Sequence, residues 1–155
     1  MHFFRIVVCA TTVALALASP VEAQAVADLS TIPALRGDWN YATTPDGSEA
    51  VFRDEGGVAR MWLHCTHFTR QVTVSKMVAA PISAMNVWTS SKSQTLAATY
   101  NPANARVSFS LYAFNPLFDA MAFSRGRFGI SAGNEAPVVV PPWEEVARVV
   151  EDCRV

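Results

Sequence analysis

The chain has little charge. Asp, Glu, Lys and Arg make up 16% of its 155 residues, with twelve basic against thirteen acidic side chains and a formal net charge of −1. A balance so close to neutral excludes a strong electrostatic footprint for nucleic acid, so no nucleic-acid partner is expected. Familiar chemical signatures are missing as well. The chain has no Walker loop, no dinucleotide-binding glycine fingerprint and no G-x-S-x-G nucleophile elbow. Beyond residue 18 no apolar run is long enough to cross a bilayer. Cysteine is scarce, with three in all. What the chain does have is apolar side chains, 51% of the total, too many for a disordered protein. Its length leaves room for one domain.

The N-terminus has the form of a secretory signal peptide. Met1 to Arg5 is a short segment with one arginine, and Ile6 to Ala18 is apolar except for Thr11 and Thr12. Ser19-Pro20 breaks the run, and Val21-Glu22-Ala23 places small residues where a signal peptidase reads. Cleavage is expected after Ala23, or after Ala25 if the frame Ala23-Gln24-Ala25 is used. A membrane anchor would need about 20 apolar residues, more than this run holds. Cys9 lies near the start of the run, whereas a lipidated cysteine normally ends it. Residues 1–23 are therefore expected to be removed, residues 24–36 to form a leader, and residues 37–155 to fold as one β-rich domain. The mature protein is expected in the periplasm or outside the cell, without a membrane span.

Removing Arg5 and Glu22 leaves the net charge at −1, and removing Cys9 leaves Cys65 and Cys153. An even number of cysteines in an oxidising compartment argues for one disulfide; the alternative is two buried free thiols. The bridge would close a loop of about ninety residues, for which the chain-entropy picture gives at most about 4–5 kcal/mol.

From Gly37 onward short strands alternate with turn signals. In Pro45-Asp46-Gly47, Pro presets one φ and Gly accepts a positive one. Glu55-Gly56-Gly57 marks the next turn. Strands are expected around Trp39–Tyr41, Ala50–Arg53, Val58–Thr66, Val72–Ser75, Asn86–Ser90, Thr95–Tyr100 and Arg106–Ala113. In the last of these Val107, Phe109, Leu111 and Ala113 alternate with Arg106, Ser108, Ser110 and Tyr112, the period of a half-buried strand. Two shorter strands are expected at Arg127–Ser131 and Val138–Val140. Asn115-Pro116 reads as an N-cap and first-turn proline, opening a short helix near 116–124 with Leu117, Ala120, Met121 and Ser124 on one face. Pro141-Pro142 opens a C-terminal helix near 142–153. Its stripe is Trp143, Val146, Ala147, Val150 and Cys153, with Glu144 and Glu145 favoured in its first turn by the helix dipole. The expected fold is mainly β, an antiparallel sandwich or barrel-like meander of about seven to nine strands with these two helices.

The segments Leu117–Phe128 and Trp143–Arg154, with Trp39-Asn40-Tyr41 and the cysteine strand followed by Arg70-Gln71-Val72-Thr73-Val74, resemble a family of small exported alphaproteobacterial proteins without an assigned activity. The order helix, Gly, strand, short strand, helix is also similar in architecture to the C-terminal part of the invasion-associated locus B family. The chain lacks the second cysteine pair associated with many members of that family. Neither resemblance implies a catalytic residue or a cofactor.

Ser124-Arg125-Gly126-Arg127 is the most suggestive candidate surface. Arg125 and Arg127 flank Gly126 where a helix hands over to a strand, and arginine forks bind carboxylate or phosphate in bidentate fashion. A simpler role is structural, with Gly126 capping the helix and the arginines complementing its negative end. His64-Cys65-Thr66-His67 has metal-binding residue types, but on a strand His64 and Cys65 face opposite ways, and no metal is expected. Asp119 with Glu135, or Glu144 with Glu145, is a conceivable acid–base pair. Trp39, Trp62, Trp88, Tyr41, Tyr100 and Tyr112 would line a groove for a ligand or sugar or, more simply, fill the core. The expected function is thus a non-catalytic binding or interaction module of the cell envelope. Its partner would be another envelope protein or an anionic ligand, with no cofactor. The alternatives are a small hydrolase or isomerase with a site outside known motifs, and a structural or host-interaction factor.

Overall fold

The computed structural model describes residues 27–155. The expected signal peptide and both cleavage positions lie outside the described residues.

Turn chemistry and two-residue alternation build the first half of the domain. β1 (Gly37–Thr44) and β2 (Gly47–Asp54) pair antiparallel around Pro45-Asp46. The positive φ expected at Gly47 is absent. Glycine is required there by close approach instead, since a Cβ would lie 2.1 Å from the Cys65 carbonyl oxygen on the neighbouring strand. β3 (Ala59–Thr66) and β4 (Gln71–Met77) continue the meander, and β7 (Thr99–Asn101) and β8 (Arg106–Tyr112) complete a six-stranded sheet in the order β1-β2-β3-β4-β8-β7. β5 (Ala84–Trp88), β6 (Ser93–Ala97), β9 (Phe128–Ala132) and β10 (Val138–Val140) form a four-stranded sheet in the order β10-β9-β5-β6. Every pairing is antiparallel. The mainly β architecture expected from alternation is therefore the one observed. The described residues hold ten strands because the run Thr95–Tyr100, expected as one strand, breaks at Ala98. The Ala98 N–H turns to the Ser83 carbonyl at 2.8 Å, and the chain passes from one sheet to the other.

Both expected helices form. In α1 (Pro116–Ala122) the Asn115 side chain accepts from the Leu117 N–H at 3.0 Å, and Leu117, Phe118 and Met121 are buried. α2 (Glu144–Asp152) buries Val146, Val149 and Val150. Trp143, expected on its apolar stripe, is instead the exposed residue just before the helix. Cys153, at the helix end, is bridged to Cys65 in β3 with 5.5 Å between the Cα atoms.

One apolar core draws on both sheets and both helices. Trp39 stands edge-on to Phe52 at 5.4 Å and stacks on Phe128 at 6.4 Å. Its indole N–H donates to the Pro141 carbonyl at 2.8 Å, so one residue joins the two sheets to the approach to α2. A second tie is polar. Lys76 in β4 is 3% exposed, and its Nζ lies 3.1 Å from Glu135 in the β9–β10 turn. Residues 29–36 carry no regular structure, yet they pack against the strands. Leu29 is buried against Gly129, and the Leu35 N–H donates to the Val139 carbonyl at 2.8 Å.

Candidate functional site

In the six-stranded sheet Ala50, Phe52, Met61, Leu63, Val72, Val74, Val107 and Phe109 face the core. Alternation turns the complementary set outward, and register decides which of these side chains meet. Trp62 in β3 stands opposite Ser75 in β4, which stands opposite Ser108 in β8. In the next row Glu49, His64, Thr73 and Ser110 stand side by side across β2, β3, β4 and β8. Trp62 is only 6% exposed although it lies on the outer face, outside the core cluster. Over its ring sits the guanidinium of Arg106, the first residue of β8, with its central carbon 3.5 Å from the ring centroid. This is a cation–π stack. Around it a groove of about 230 Å³ runs over Ser75 and Ser108, with Glu49 and His64 on one side and Asn101 and Asn104 on the other.

The groove contains one arginine, one glutamate and one histidine. Burial pulls the Arg106 pKa down and the nearby Glu49 charge pushes it back up; a guanidinium stays cationic at neutral pH. His64 Nε2 lies 3.0 Å from Asp46 Oδ2, and His64 Nδ1 lies 3.9 Å from Glu49 Oε2. The His64 hydrogen bond, and after it one donated by Thr44, hold the Asp46 carboxyl below the usual carboxylate range. The Thr73 and Ser110 hydroxyls share a hydrogen bond at 2.7 Å. His64 Nε2 is thus hydrogen-bonded to a carboxylate, and among the described residues no hydrogen bond joins the ring to Thr73 or to the groove's serines.

The residues expected to form an anion site have different surroundings. The Ser124–Arg127 turn lies between α1 and β9, and Gly126 takes a φ of +74° in it. α1 has already ended at Ala122 with Phe123 as its cap, so Gly126 serves this turn and not the helix end. The turn is clasped by Ser90 and Ser124. Ser90 N–H donates to Ser124 Oγ at 2.9 Å, and Arg125 N–H donates to Ser90 Oγ at 2.8 Å. Arg127 Nη1 donates to the Ile32 carbonyl at 2.6 Å, which engages this arginine in holding the N-terminal segment. The Arg125 side chain is exposed and has no hydrogen-bond partner among the described residues.

The other sequence candidates also resolve into separate roles. Asp119 pairs with Arg154 at 2.7 Å and Glu135 with Lys76, so Asp119 and Glu135 do not meet. Cys65 is in the disulfide, and among the described residues no group of three His, Cys, Asp or Glu side chains converges. Tyr41 donates to Asp152 at 2.6 Å beneath the Arg148 guanidinium, whereas Trp39 is core. A larger recess of about 660 Å³ lies between residues 27–32 and the four-stranded sheet. Of its carboxylates Glu135 is already bound to Lys76.

Sequence reasoning placed Trp62 among aromatics that would line a groove or, more simply, fill the core, and did not connect it with Arg106. A usable signal was present. In Arg60-Met61-Trp62-Leu63-His64-Cys65 the tryptophan shares parity with Arg60 and His64, not with Met61 and Leu63. Its meeting with Arg106, more than forty residues away in sequence, depends on strand order alone. Comparison of the chain with protein families, with curated proteins and with solved structures finds no match.

Proposed function

We propose that the protein is an exported, non-catalytic binding module of the cell envelope that takes a small polar ligand in the groove over Trp62. One observation carries the reading. An indole on a sheet's outer face is flanked by hydroxyls, amides and charged side chains within a single groove. A few placed polar groups beside an aromatic surface are the usual make-up of a ligand site. The orientation of His64 toward two carboxylates supports binding over catalysis. Export is supported by the signal-like N-terminus and by the buried Cys65–Cys153 pair, which suits an oxidising compartment.

Two measurements test the two halves. The mass of the protein recovered from the envelope fraction should correspond to a chain beginning at Gln24, or at Val26; an intact N-terminus refutes export by cleavage. Native mass spectrometry of the same material should find a small molecule retained by the wild type and lost by Trp62→Ala. Identical retained species in the two proteins would refute the groove as the site.

A further inference from the structure

We infer that the ligand of this groove is a neutral saccharide, an assignment that rests on the groove being the binding site. The groove holds one fixed charge of each sign, Arg106 and Glu49, and His64 is hydrogen-bonded to Asp46. An anionic ligand would meet the Glu49 carboxylate, and a cationic one would meet Arg106. What the groove offers in quantity is hydroxyl and amide groups, from Ser75, Ser108, Asn101 and Asn104. A hydroxyl both donates and accepts, and an amide carries two donors and an acceptor. Their natural complement is a ligand whose own groups each do both, which is the property of vicinal sugar hydroxyls. The C–H face of a sugar ring needs an apolar surface, and Trp62 supplies it. A space of about 230 Å³ suits one ring, with the rest of a chain left in solvent.

Seating a ring on Trp62 requires Arg106 to move off the indole. Among the described residues the Arg106 side chain is held there by the stack and by no hydrogen bond. Glu49 lines the same groove. Ligand binding should therefore change the environment of Trp62 itself.

The test is calorimetric titration of the mature protein with maltotriose, the N-acetylglucosamine trimer, galacturonate and inorganic phosphate, with tryptophan emission followed in parallel. At least one neutral trisaccharide should bind and shift the emission. Trp62→Ala should weaken binding by about tenfold, whereas Arg106→Ala uncovers the indole and should leave neutral trisaccharide binding as strong or stronger. Trp62→Phe keeps an aromatic face and should retain binding but lose most of the emission change, which keeps the test valid if Trp62→Ala fails to fold. Binding of galacturonate or phosphate alone, abolished by Arg106→Ala, would overturn the saccharide while leaving the groove as the site. Binding of none of the four would also overturn the saccharide, with the retained-molecule comparison still deciding the groove. Trisaccharide binding unchanged in every variant would overturn both assignments.

Discussion

Reduction of the Cys65–Cys153 bridge should cost this domain a large part of its stability. The bridge joins residues 88 apart, so the loop it closes contains β4 to β10 and both helices. In the chain-entropy treatment a loop of that length restricts the unfolded chain by about 4–5 kcal/mol, an upper figure because residual structure in the unfolded state subtracts from it. Domains of this size are stable by only about 5–15 kcal/mol. With about 3–4 °C per kcal/mol for a chain of this length, the melting temperature should fall by about 10–20 °C. Both cysteines are fully buried, so Cys→Ala variants would add cavity costs to the effect of the cross-link. Oxidised and reduced wild type are therefore the cleaner pair. The assay is far-UV circular dichroism on heating, with mass spectrometry confirming that both thiols are free. Hydrogen exchange should locate the early loss of protection in α2, whose C-terminal end the bridge anchors to β3. A shift of less than about 3 °C in fully reduced protein would refute the loop-entropy reasoning for this fold.

Other perturbations have equally definite outcomes. Lys76→Met leaves Glu135 without its cation, and since the Glu135 side chain is 29% exposed the cost should sit at or below the low end for a broken buried pair, about 2–3 kcal/mol by urea denaturation. Ser48 Oγ is buried with no hydrogen-bond partner among the described residues, so Ser48→Ala should be neutral or raise stability by up to about 1 kcal/mol; a clear loss would reveal a partner for the hydroxyl. The Ala79 N–H, and after it Lys76, hold the Glu135 carboxyl below its ordinary range. Its contribution is then complete at neutral pH and lost as the pH falls through the depressed value, and Glu135→Gln should flatten this acid limb of the stability profile. Arg127→Ala removes the donor to the Ile32 carbonyl and should speed limited proteolysis near residue 32, with little change in the melting temperature.

Much of the architecture was legible because it rests on local periodicity. The alternation from Arg106 to Tyr112 is the observed burial of β8, and the Asn115-Pro116 start of α1 is the observed cap. The misreadings have local causes. Thr95–Tyr100 is a continuous β-prone run, and only the divergence of two sheets splits it at Ala98. Trp143 matched the α2 stripe by spacing, but it precedes the first helical residue and so escapes the periodicity. Arg125 and Arg127 looked like one site because they are neighbours in sequence. A bend at Gly126 and the nearby Ile32 carbonyl gave them different surroundings.

The sequence by itself determined what depends on near neighbours: the strands, the two helices, the caps and the outward parity of Trp62, Arg106 and the groove's hydroxyls. It also supplied the two cysteines. Only the tertiary structure decided which of these met. Placing β8 beside β4, across from β3, brought Arg106 onto Trp62. The β1–β2 hairpin brought Asp46 to His64. Such contacts follow from strand order and register, which are set by burial of the whole apolar face at once, and no local stretch of residues encodes them.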